Sequence, residues 1–315
     1  MASSAVFSEP PLYNYTLGSD DELVGTVVSA ECLVGAVLVS LVVVGCFRIP
    51  SMRSPFGALT VNQCTSQLIA CINSLVFFFF GFVLAARSVV EFSFVPGAVS
   101  LCLLGIIVVS YFLMSLNRLC AVLLPFHYRF LFGKKSLGVL VFLNWSIPLS
   151  VSAFLMIFKD CSFQFYRFGW TFSIAPNEKC GSSISYYILC QTPFTVLTIL
   201  CDVATLIWLL IRRKRLFQSK SLKRREMNFA RQVLVQGFVS LVHIFWYNHG
   251  RNLLPWFSEE WTIFLTTSFS SNLLHVFDAA VVFTCNLEFK DWLLKEKKKS
   301  TSVIVSAIQH IGSDH

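Results

Sequence analysis

Seven mostly apolar runs, at 23–47, 58–85, 97–124, 137–158, 186–211, 229–249 and 261–285, divide the chain. A helix rises about 1.5 Å per residue, so roughly 20 apolar residues cross a bilayer. Each run is about that long, and the polar segments between them are short. The pattern predicts an all-α membrane protein, a bundle of seven helices. The longest outer segment, 159–185, reads differently. Phe163, Phe165, Tyr166, Phe168, Trp170 and Phe172 crowd its first half in partial alternation, which predicts a hairpin or an extended lid. It either caps a cavity between the helices or rests as an aromatic belt against lipid. Beyond the last run, 286–299 forms an amphipathic pattern. Leu287, Phe289, Leu293 and Leu294 are expected to face lipid, with the lysines toward anionic headgroups. The expected organisation is an extracellular N-terminus (1–22), a seven-span domain (23–285), then an amphipathic helix and cytoplasmic tail (286–315).

Composition agrees. Of 315 residues, 55% are hydrophobic and 13% charged, against about 25% charged in soluble domains. The net charge of +8 is not spread as a nucleic-acid surface would be. Its basic residues fall in alternate loops: Arg48 and Arg53; Arg129, Lys134 and Lys135; then a dense segment from Arg212 to Arg225. By the positive-inside rule these loops are cytoplasmic and the N-terminus is outside. The first 22 residues lack a basic n-region, so the first span is expected to be its own insertion signal. Asn14-Tyr-Thr is then a glycosylation sequon on the outer side, whereas Asn144-Trp-Ser lies inside a span and should be silent.

Most of the 11 cysteines lie within spans, where a thiol acts as a small apolar group. Only Cys161 and Cys180 fall in an outer loop, where oxidising conditions favour a bond between them. The alternative is two free thiols, or one paired elsewhere. Asp202 and Asp278 lie inside the fifth and seventh spans, and charge in hydrocarbon is costly enough to be functional by default. With Asn73 and Asn286 they form a candidate activation network. They either hold water or sodium, or are protonated and simply hydrogen-bonded between helices. The glycine-flanked aspartates of intramembrane proteases are missing, as are metalloprotease, serine-hydrolase and phosphate-loop motifs. No enzymatic activity, metal or cofactor is expected.

The third span ends in Ser115-Leu-Asn117-Arg118, followed by Pro125 and Tyr128. The alternative for Arg118 alone is a positive-inside anchor. Ser100 lies 18 residues before it, about 27 Å along one helix, so this span links an outer pocket to an inner charged tip. Asn117-Arg118-Leu119 with Pro125-x-x-Tyr128 resembles the inner end of helix three in rhodopsin-like G-protein-coupled receptors. Ser54-Pro-Phe-Gly-Ala-Leu, the helix-three signature, Arg225-Glu226 with Phe229, Gln232 and Gln236, and Asn286 with Glu288, Phe289 and Lys290 together resemble the nematode serpentine receptors of class x. The chain departs from the rhodopsin-like pattern where Asp278-Ala-Ala-Val-Val replaces the usual Asn-Pro-x-x-Tyr, and it lacks a proline in helix six and the outer helix-three cysteine.

The resemblance implies a chemoreceptor, multi-pass in the plasma membrane, the ciliary membrane of sensory neurons included. It implies a heterotrimeric G protein as inner partner, with Asn117, Arg118, Pro125, Tyr128, Arg224 and Arg225 as coupling residues. The candidate pocket draws on Ser100, Leu104, Tyr187, Gln191, His243, Trp246, Tyr247, Asn272 and His275, and suits a small organic ligand from outside. The resemblance disfavours amine ligands and retinal, because Ser100 occupies the slot where amine receptors carry an acid and the seventh span has no lysine for a Schiff base. A peptide receptor of the same fold is the runner-up. A ligand-gated channel or a transporter fits less well, since no matching interrupted helices repeat in two halves.

Overall fold

A computed structural model describes residues 17–174, 178–213, 220–286 and 288–294, with side chains excepted at 178–179, 181–190, 209, 212–213, 220–230, 233 and a few flanking positions. The chain runs through α1 (Ser19–Arg48), α2 (Pro55–Phe78), α3 (Arg87–Glu91), α4 (Phe94–Leu123), α5 (Pro125–Leu131) and α6 (Lys134–Phe158). A hairpin of β1 (Phe163–Tyr166) and β2 (Thr171–Ile174) follows. Then come α7 (Glu178–Arg213), α8 (Lys220–Leu253), α9 (Glu259–Phe264), α10 (Ser270–Cys285) and a short helix at 288–294. Wide π turns prolong α2 through Phe79–Val83 and join α9 to α10 through Leu265–Phe269. The seven spans are therefore α1, α2, α4, α6, α7, α8 and the α9–α10 pair. Among the described residues, five of these carry windows apolar enough to cross a membrane by length and composition alone.

Local chemistry sets several boundaries. Ser54 caps α2, its hydroxyl accepting from Gly57 N at 3.4 Å, and Pro55 occupies the first turn, where a missing N–H costs nothing. Gly57 lies so close to the Met52 backbone that any side chain would collide with it. Ser-Pro-Phe-Gly therefore works as a unit at the start of helix two. Pro125 likewise starts α5, and Ser258 caps α9 through Trp261 N.

The inner core joins α1, α2, α4 and α10 through Val39, Val42, Leu59, Leu113, Met114 and Val282. Phe289 corrects the expected lipid-facing pattern. It is fully buried in this core, against Phe283 and the Cβ-less face of Gly45. Amphipathic spacing identifies a helix here but not which apolar side chain turns inward. Leu294, half exposed, remains on the open side. Leu33, Val37, Phe142, Ile157 and Phe158 lie exposed on the outer faces of their helices, as lipid contact requires.

Candidate functional site

The hairpin closes the outer end of the bundle. Phe163–Tyr166 pairs antiparallel with Thr171–Ile174, and the turn between them holds Gly169 and Trp170 at positive φ (81° and 43°). Glycine accepts that conformation without penalty, and tryptophan does so under the constraint of its packing. Trp170 is 1% exposed, packed between Trp261 and Phe264. Phe165 is 3% exposed among Phe77, Phe78 and Phe82. Gly97 of α4 fits directly beneath the Phe163 carbonyl. Phe163, Phe165, Trp170 and Phe172 therefore form a cap packed against the helices. Cys161 and Cys180 are joined by a disulfide that ties the hairpin to the first turn of α7.

A buried carboxylate fastens the cap to helix one. Asp21 is wholly buried. Its Oδ1 accepts from Trp170 Nε1 at 2.7 Å and Arg167 Nε at 2.9 Å, and its Oδ2 accepts from Gly18 N at 2.8 Å. In the sequence Asp21 is one of several acids in a segment expected to be exposed, and the only signal against exposure is its place in the first helical turn.

Deeper in the bundle, Asp278 accepts from Gln67 Nε2 at 2.6 Å and from the Tyr111 hydroxyl. This joins α10 to α2 and α4. Gln67 and Tyr111 escape sequence reading, because a Gln and a Tyr within apolar runs carry no distinctive spacing. Asn73 does not join this network: its amide donates to the Pro96 carbonyl and to Ser100 Oγ, both at 3.0 Å. It is more than one and a half turns farther out along α2 than Gln67, beyond reach of Asp278. Asn286 also stands apart. It is buried and caps the 288–294 helix, its Oδ1 accepting from Glu288 N at 3.1 Å.

At the inner end Arg118 is buried, not displayed at a tip. Its guanidinium lies 4.1 Å from the Phe56 ring centroid, a cation–π contact between α4 and α2. Asp202 of α7 lies within the field of Arg118 and beside Ser115, and Gly237 of α8 packs directly against its carboxylate. The neighbouring Asn117 donates to the Tyr128 hydroxyl at 3.2 Å, and Tyr128 stacks on Phe132. Burial holds the Tyr128 phenol above its ordinary ionisation range, so it stays a protonated partner. Pro125 starts the helix that carries it.

Of the proposed pocket residues, Ser100 is engaged by Asn73. Asn272 donates to Ser268 O at 2.8 Å and accepts from the Cys32 thiol. His275 is buried on the seventh span. Trp246 donates to Leu265 O at 3.0 Å, tying α8 to the π turn of the seventh span. Gln191 and His243 each present a buried nitrogen without a partner among the described residues. Leu104 and Tyr247 are half exposed, so neither is sealed within the core. Asn14 lies outside the described residues, as do the side chains of Tyr187, Arg224 and Arg225. Among the described residues no group of three or more His, Cys, Asp or Glu side chains could hold a metal ion.

Comparison with known proteins places the chain among receptors of one fold. A model of the serpentine type 7TM GPCR chemoreceptor Srx matches residues 31–286. Serpentine receptor class X-43 of Caenorhabditis elegans is 42% identical over 298 residues, covering 94% of this chain and 92% of that one. The crystal structure of squid rhodopsin superposes with a TM-score of 0.68 over 90% of this chain and 82% of that chain. At 13% identity the rhodopsin match speaks to the fold alone.

Proposed function

This chain belongs to the Srx family of serpentine 7TM GPCR chemoreceptors, and from that premise we propose that it binds a small organic ligand beneath the hairpin and signals to a heterotrimeric G protein. The observation that carries the proposal is the course of α4. Its first turn lies directly under the hairpin at Gly97, and its last turns bury Arg118 against Phe56 and beside Asp202. One continuous helix of 30 residues thus touches both the cap and the inner latch. A ligand that shifts the cap or the outer ends of α4 and α10 biases how the inner ends pack. Since packed interfaces are bistable, a small outer shift becomes a discrete inner one.

In the resting arrangement Arg118 is held by an aromatic face and an acid on another helix. Separation of α8 from α7 at Gly237 releases that hold and presents Arg118, Tyr128 and the basic 212–225 segment to the partner. A hairpin buried this deeply favours a small ligand over a peptide, which would need an open mouth. The site is in the plasma membrane, with the hairpin outside.

The test expresses the chain with a promiscuous G protein and presents a panel of volatiles and small metabolites. Second-messenger output is compared with an Arg118→Glu variant at equal surface level. A ligand response in the parent that vanishes in the variant supports the proposal. An equal response in both removes Arg118 from the mechanism, and a current without G protein makes the protein a channel.

A further inference from the structure

Glu31 stands in the middle of α1, about 18 Å along the helix from Ser19. Both of its carboxyl oxygens are buried, and neither has a hydrogen-bond partner among the described residues. An ionisable group at that depth is costly and marks a functional site by default. Its neighbours fix where it faces. One turn inward, Gly35 lies against Cys71 of α2 and Val276 of α10. The adjacent Cys32 donates its thiol to Asn272 Oδ1 of α10 at 3.4 Å. Glu31 is therefore at the junction of α1 and α10. The lipid face of α1 lies elsewhere, on Leu33, Val34 and Val37, each at least half exposed.

That junction is wired to the cap. The Ser268 hydroxyl donates to the Trp170 carbonyl at 2.7 Å, the Ser268 carbonyl accepts from Asn272 at 2.8 Å, and Asn272 accepts from Cys32. Three hydrogen bonds thus lead from the hairpin to the residue beside Glu31. Meanwhile α4 offers no acid at Ser100, whose hydroxyl is already engaged by Asn73. We infer that Glu31 is the counter-ion for a protonated amine, held between α1 and α10 beneath the hairpin.

This inference rests on the receptor reading above and names its ligand class. An ammonium brings three donors and a full charge to two carboxyl oxygens that have no donor of their own. An alcohol brings one donor and no charge, and a carboxylate is repelled. The low dielectric of the bundle magnifies the difference.

Binding is read without G protein, on the purified chain in lipid nanodiscs, by ligand-induced thermal stabilisation. The probes are n-alkylamines from butylamine to octylamine and the alcohols of matching length. Amines bind the parent, bind Glu31→Gln at least about tenfold more weakly, and bind Glu31→Asp with most of their affinity. Alcohols bind all three forms alike. Equal amine binding by parent and Glu31→Gln overturns the inference. So does a parent that prefers alcohols, or a folded parent that binds none of the amines. If Glu31→Gln does not fold, the amine–alcohol preference of the parent and of Glu31→Asp decides. None of these outcomes touches G-protein coupling, and loss of coupling with amine binding intact counts against the receptor reading alone.

Discussion

Replacing Asp21 by alanine should loosen the cap. Asp21 is fully buried and accepts from Trp170, Arg167 and Gly18. The Trp170 indole N–H is left buried without an acceptor, which costs about 1–3 kcal/mol. Arg167 is 35% exposed, so the lost ion pair contributes only about 0–1 kcal/mol after solvent screening. The Gly18 N–H, only part-buried, regains water. The sum is a loss of about 1–4 kcal/mol. Arg167→Ala leaves the Trp170 and Gly18 donors to Asp21 in place and should cost about 1 kcal/mol. The assay is thermal unfolding followed by a thiol-reactive dye, since Cys32, Cys46, Cys64, Cys71, Cys120, Cys201 and Cys285 are buried and react only when the bundle opens. Asp21→Ala should melt clearly below Arg167→Ala. Equal melting of the two variants, or an unchanged Asp21→Ala, would refute the view that the carboxylate pins the hairpin through Trp170.

Four further outcomes are expected. Gly237→Ala places a methyl 2.8 Å from Asp202 Oδ2, pushes α8 from α7 and should raise ligand-free second-messenger output. Gly45→Ala drives a methyl into the Phe289 ring; the overpacking should cost about 1–3 kcal/mol, read as lower surface expression and earlier melting. Tyr128→Phe removes the Asn117 hydrogen bond and should cost about 1 kcal/mol of stability, with a larger loss of G-protein coupling at equal expression. Cys161→Ser frees the hairpin from α7 and should cost about 3 kcal/mol in the chain-entropy picture, measured as a lower melting temperature that reducing agent does not lower further.

The seven spans are legible in the sequence because seven apolar runs of bilayer length are too many to bury in one water-soluble core. The hairpin shows in the alternation of Phe163, Phe165 and Phe172, and the disulfide in the compartment of its two cysteines. Helix rotation is not legible. Several spans are apolar nearly all round, so nothing in their periodicity says which side meets a neighbour. That is why Asn73 groups with Asp278 in the sequence, although it bonds Ser100 and Pro96, and why Phe289 reads as lipid-facing although it fills the inner core. Partners such as Gln67 and Tyr111 emerge only once three helices are set side by side. Glu31 is easily passed over inside an otherwise apolar run, where one acid does not interrupt the hydropathy of a span. Arg118 is readable as a charge at a helix end, but its burial over Phe56 depends on a ring more than 60 residues earlier in the chain.

If a ligand under the hairpin acts through the inner end of α4, it drives nucleotide exchange on the G protein. The most direct measurement loads a purified heterotrimeric G protein with a slowly hydrolysed GTP analogue, using the receptor in nanodiscs with an activating compound from the panel. The wild-type chain should accelerate loading only with the compound present, and Arg118→Glu should bind the same compound without accelerating it. Acceleration that is equal in both proteins, or absent from a wild-type chain that demonstrably binds the compound, would rule out signalling through Arg118 and α4.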